Sequence, residues 1–124
     1  METAGLIIAA KAGAAIFVVG MCYLFIPQAM AASFGLTHLP PQPATAWLRV
    51  KGVRDAATGV VAAVLLVVAE PSVVAWCVLA FTLIPVGDAI LVLSNGGKQT
   101  AAWGIHGSTA VLMMLSVGLI LGVS

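Results

Sequence analysis

Charge is the scarcest property of this chain. Only 7% of its 124 residues are charged, and five Lys and Arg against four Asp and Glu leave a net charge of +1. No basic cluster is present that could track a phosphate backbone, which excludes nucleic-acid binding. Cysteine is almost absent: Cys22 and Cys77 lie in separate apolar runs. The topology read below sets them near opposite leaflets, roughly 20 Å apart at about 1.5 Å per helical residue, too far for a disulfide. Both are read as small core side chains. Of the two histidines, His38 has no metal-type residue spaced near it, and His106 has neither a second histidine nor a cysteine at its depth. No metal, haem or other cofactor is therefore expected. No basic region precedes the first apolar run, which is longer than a signal-peptide core, and Phe25-Ile26-Pro27 makes a poor cleavage site. The run is read as a retained transmembrane helix.

What the chain has in abundance is apolar side chains, 62% of the total. That lies outside the range of soluble globular proteins and indicates a single integral membrane domain over 1–124. Helices are predicted over about 5–26, 46–69, 73–94 and 101–123, each near the roughly 20 residues that cross the hydrocarbon. The fold class is therefore all-α integral membrane, an antiparallel bundle of four transmembrane helices. Pro27 ends the first helix. Residues 28–45 form the one long connection, interfacial over 30–36 and extended over Leu39-Pro40-Pro41-Gln42-Pro43. Thr45 and Thr100 are the expected N-caps of the second and fourth helices. Glu70-Pro71-Ser72 and Ser94-Asn95-Gly96-Gly97-Lys98 are tight turns, and Pro85 is expected to kink the third helix one turn before Asp88. Gly52, Ala56, Gly59 and Ala63 recur at helical steps and should form a contact face, while Lys11 snorkels to the interface. Arg49, Lys51, Arg54 and Lys98 flank one side and Lys11 the other. Loops one and three should therefore be cytoplasmic and both termini outside.

The chain is organised around Lys51-Gly52-Val53-Arg54-Asp55-Ala56-Ala57-Thr58-Gly59, where charges open a membrane-length apolar segment. Counting residues from the better-defined helix ends puts Arg54 and Asp88 about 6 Å, and His106 about 7 Å, inside the hydrocarbon. Isolated ionisable groups there are disfavoured by about 2.5 to 3.5 kcal/mol each, so the three should meet. An arginine fork suits a carboxylate, which makes Arg54 with Asp88 the expected salt bridge. Asp55 can pair with Lys51 one turn back. His106 is then the titratable group facing any remaining space. Asp88 and His106 are the candidate catalytic pair, and Arg54, Asp55, Thr58 and Trp103 are the candidate ligand contacts. A purely structural clasp between helices two, three and four explains the same residues.

These features resemble those of a family of small four-helix bacterial membrane domains of unknown function, of the DUF4267 type and DoxX-like in general plan. The resemblance runs through the proline ending helix one, Phe34-Gly35-Leu36, Gly52-Val53-Arg54-Asp55 with Gly59, Pro85 through Asp88, Gly96-Gly97 and His106-Gly107. It implies the fold and the choice of polar residues, and carries no activity.

Two functions remain open. In the first, the cluster lines a cavity for a lipophilic molecule with one polar group, isoprenoid, quinone or sterol-like, and supports acid/base chemistry such as isomerisation, cyclisation or hydration. In the second, the chain is a non-catalytic structural or accessory subunit of a larger membrane complex. A transporter would require an oligomer, because no inverted repeat is visible. The partners expected are the lipid bilayer, a lipophilic small molecule, and further copies of the chain or a larger membrane complex.

Overall fold

The computed structural model describes residues 1–39, 41 and 44–122. Helix α1 spans Glu2–Phe25 and α2 spans Pro27–Phe34. Proline at the first position of α2 suits a helix start, since its missing N–H would have no intrahelical partner there. The segment 30–36, expected to lie in the interface, is helical over 30–34, the second part of this eight-residue helix. The helix stops at Gly35, whose φ of 110° is open to glycine and strained for other residues. The proline-rich stretch expected to be extended lies largely outside the described residues.

Helix α3 spans Thr45–Val68. Thr45 is its first residue and not its cap: Ala44 holds the N-cap position, and the Thr45 hydroxyl accepts a hydrogen bond from Gln28 Nε2 at 3.0 Å. Helices α4 (Pro71–Phe81) and α5 (Leu83–Ser94) meet at Thr82. The interruption therefore falls just before Pro85, where proline leaves the Phe81 carbonyl without its i+4 donor. The Thr82 hydroxyl donates to the Val78 carbonyl at 2.9 Å and bridges the junction.

The last segment comprises α6 (Gln99–Ala101), a π-helical turn (Ala102–Gly107) and α7 (Ser108–Leu121). Lys98, not Thr100, precedes its first residue. Val123, the expected end of this helix, lies outside the described residues. No strand occurs among the described residues.

Among the described residues, three helical segments are long and apolar enough to cross a membrane: Glu2–Phe25, Pro71–Ser94 and Gln99–Leu121. Helix α3 has the same length as α1, but Arg49, Lys51, Arg54 and Asp55 crowd its first half. The outward faces carry large apolar side chains such as Phe25, Val67, Leu83 and Val111, as lipid-facing surfaces do.

Packing between apolar helices in lipid depends on close approach, because lipid tails are as apolar as the side chains they replace. Gly20 of α1 lies against the backbone of Gly52 and Ala56 of α3, and a Cβ on Gly52 would stand 2.8 Å from the Gly20 carbonyl oxygen. Further along, Gly59 faces Gly13 and Phe17, and Ala62 faces Gly13. The expected small-residue face is therefore present over Gly52, Ala56 and Gly59. Ala63 is exposed, and Ala62 makes the fourth contact. The same device joins α1 to α7, where the buried Ser116 hydroxyl donates to the Gly5 carbonyl at 2.7 Å. Ala9, Val74, Ala75, Val78, Met113, Val117 and Ile120 form the core between α1, α4 and α7. At the far ends of these helices the packing opens into a cavity.

Candidate functional site

The cavity measures about 340 Å³. Its walls are mostly apolar and come from α1 (Ala12, Ile16, Val19), α4 and α5 (Phe81, Ile84, Pro85) and the last helix (Ile105, Met113). Tyr23, Ser33, Lys51, Asp88 and His106 supply polar atoms at one end, with Thr58 on the α3 wall and Thr109 on the last helix. The exposed residues Ala15, Ser33, Ile84, Ile105 and Thr109 on its lining mark where it reaches the outer surface of the helices.

Lys51 is held on three sides. Its Nζ lies 2.5 Å from Asp55 Oδ2, 4.8 Å from the centre of the Tyr23 ring and 5.6 Å from that of Phe34. The pair with Asp55 is the one the i,i+4 spacing implies. The two rings add the attraction of aromatic faces for an ammonium group. Asp55 is 7% exposed, so Lys51 supplies the charge that keeps a buried carboxylate in place.

His106 is fixed by a different element. Its Nε2 lies 3.0 Å from the Phe34 carbonyl oxygen, and the two rings stand 4.6 Å apart. A carbonyl oxygen only accepts, so the proton on this side belongs to Nε2. Nδ1 faces Asp88 Oδ2 at 3.7 Å, beyond direct hydrogen-bond length. A proton at this junction rests on Nδ1 or on Oδ2, and either atom can exchange it with a group in the cavity. Phe34 can present its carbonyl because Gly35 turns the chain beyond it, where the Gly35 carbonyl accepts from the Lys98 backbone N–H at 2.7 Å.

The structure brings four of the six sequence-derived site residues to this end of the cavity: Asp88 and His106 together, Asp55 behind Lys51, and Thr58 on the wall. The Thr58 hydroxyl already donates to the Arg54 carbonyl at 2.8 Å. The other two residues point elsewhere. Arg54 is exposed and does not line the cavity, and the ion pair found at Asp88 is with His106 instead of Arg54. Counting along a helix sets depth but not direction. Lys51, Asp55 and Thr58 share a stripe at i, i+4 and i+7, whereas Arg54 is turned about 100° from Asp55. Trp103 is 63% exposed. It shares the π-helical turn with His106, and in that widened winding residues three apart do not share a face.

Sequence reasoning did not single out Tyr23 or Phe34 as site residues, and it gave Lys51 only as a flanking cation and a partner for Asp55. Tyr23 is the only tyrosine in the chain, four residues before Pro27, and it is 2% exposed. That isolation was the available signal. Nothing in the sequence pointed to the Phe34 carbonyl. Among the described residues, no three His, Cys, Asp or Glu side chains gather closely enough to hold a metal ion.

Fold and site define a class: helical proteins with membrane-length apolar segments surrounding a cavity that is apolar along its walls and polar at one end. Within it, the chain belongs to the family described as a domain of unknown function, DUF4267, whose model matches residues 13–121. That stretch contains Tyr23, Phe34, Lys51, Asp55, Asp88 and His106. No curated protein and no solved structure matches the chain.

Proposed function

We propose that the chain is a single-domain, multi-pass protein of the cell membrane that holds a lipophilic molecule in this cavity, with the molecule's polar group against Asp88 and His106. In this reading α3 is the fourth span of an antiparallel bundle, and its charged first half lies at the cytoplasmic leaflet beside loops one and three. The observation that supports it is the distribution of polarity. A small-molecule site is an apolar pocket with a few convergent polar groups, commonly of about 300 to 1,000 Å³, and this cavity has both properties.

Asp88 and His106 are also the groups that can do chemistry there. A carboxylate and an imidazole facing one ligand atom can move a proton to or from it, as isomerisation, cyclisation or hydration of an isoprenoid, quinone or sterol-like molecule requires. Lys51 takes the place expected of Arg54 as the cation beside the ligand.

The test is mass spectrometry of protein purified in mild detergent. Wild type should retain a lipophilic small molecule, and Thr58→Trp, which fills the cavity, should lose it. Protein that is empty in both forms and recovered only with larger membrane partners would instead support the accessory-subunit reading. Orientation is tested separately with Asn95→Cys and Ser72→Cys, both at exposed positions. An impermeant thiol reagent on intact cells should label the Ser72 variant and spare the Asn95 variant.

A further inference from the structure

We infer that the polar end of the ligand is a hydroxyl group, bound between Asp88 Oδ2 and His106 Nδ1. This rests on the cavity holding a lipophile, as proposed above, and names the chemical class of that lipophile.

The charges at the polar end already balance. Asp55 neutralises Lys51 at 2.5 Å, and Asp88 faces His106, so a protonated imidazole has its counter-ion in place. A carboxylate or phosphate on the ligand would add a negative charge among apolar walls where, among the described lining residues, the basic groups Lys51 and His106 already face Asp55 and Asp88, which is strongly disfavoured. The ligand's polar group is therefore neutral.

The spacing then selects among neutral groups. Nδ1 and Oδ2 stand 3.7 Å apart, too far to bond directly. One oxygen atom beside the gap can reach both. Whether the proton of this junction sits on Nδ1 or on Oδ2, the pair offers one donor and one acceptor, and a hydroxyl serves both, whereas a ketone, quinone or ether oxygen only accepts and leaves the acceptor unmatched. His106 cannot turn away to serve another group, because its Nε2 is tied to the Phe34 carbonyl at 3.0 Å. Both bonds to the hydroxyl form in a site walled by apolar side chains, where a hydrogen bond is electrostatically stronger than in water.

The experiment is calorimetric titration of the purified full-length chain in detergent micelles with farnesol, farnesyl methyl ether and farnesoic acid, which share one apolar chain. Farnesol should bind at least about tenfold more tightly than the ether or the acid, the difference that one hydrogen bond makes. Asp88→Leu should bind farnesol and the ether alike, at the affinity of wild type for the ether, and that retained ether binding would show its cavity to be intact. Equal binding of all three compounds by wild type, or an alcohol preference that survives in Asp88→Leu, would overturn the inference and leave the lipophile reading standing. Binding of none of the three would overturn both. Should Asp88→Leu fail to fold, the wild-type comparison of alcohol with ether decides alone.

Discussion

His106 turns Nδ1 toward the carboxylate of Asp88, 3.7 Å away, while the Phe34 carbonyl fixes its other nitrogen at 3.0 Å. One face of the imidazole is thus structural and the other faces a cavity. Removing the carboxylate charge tests the pairing. Asp88→Asn should lower stability by about 1 to 2 kcal/mol, the range for losing one charged partner that is only partly desolvated. Thermal unfolding in detergent measures it, and an unchanged melting temperature would show that the pair contributes nothing to the fold.

Lys51 and Asp55 should behave as a unit. Lys51→Met leaves the buried Asp55 carboxylate without its counter-charge and should cost about 3 kcal/mol or more. Adding Asp55→Leu should restore most of that loss, because replacing both partners removes the unpaired charge. Arg54→Gln, at an exposed position, should change stability by no more than about 0.5 kcal/mol. Unfolding of these variants measures all three values, and a loss for Arg54→Gln equal to that for Lys51→Met would contradict the arrangement of the site.

The contact of α1 with α3 is close enough to be broken by a single methyl-bearing side chain. Gly52→Val would push against the Gly20 carbonyl and the Leu24 backbone, each within 3.0 Å of the added Cβ, and should destabilise the protein by about 2 kcal/mol or more. Ala63→Val, on the same expected stripe but exposed, should be tolerated. Comparing accumulation in membranes and melting of the two variants distinguishes a contact face from a run of small residues.

The helices were legible in the sequence because their signals are local. Apolar length, Pro27, the Glu70-Pro71-Ser72 turn and the glycine-rich turn near residue 96 each act within a few residues. The Gly52, Ala56 and Gly59 face was legible for the same reason. The site was only half legible, because depth can be counted while direction cannot. Arg54 and Trp103 are exposed and do not line the cavity. The π-helical turn that carries His106 has no sequence rule as strong as that for proline, and Phe34 enters the site through its backbone, which every residue has.

That π-helical turn can be tested directly. Gly104 has open space where a Cβ would stand, so Gly104→Ala should be neutral or stabilising by up to about 1 kcal/mol. Deleting Gly104 removes the extra residue of the widened turn and should rewind it toward an α-helix, swinging His106 off the cavity. Melting should then fall by at least the loss expected for Asp88→Asn, because His106 gives up its contacts with Phe34 and Asp88, and ligand retention should be lost. Retention equal to wild type in the deletion would contradict the role given to the turn.

The most direct measurement of the central claim is photocrosslinking with a diazirine-bearing isoprenoid alcohol, followed by peptide mass spectrometry to locate the adducts. The expected result is labelling of cavity residues around Ile16, Thr58, Ile84 and His106, competed away by excess unlabelled alcohol and lost in Thr58→Trp. Labelling confined to outward residues such as Val67, Leu83 and Val111, unaffected by competitor or by filling the cavity, would contradict it.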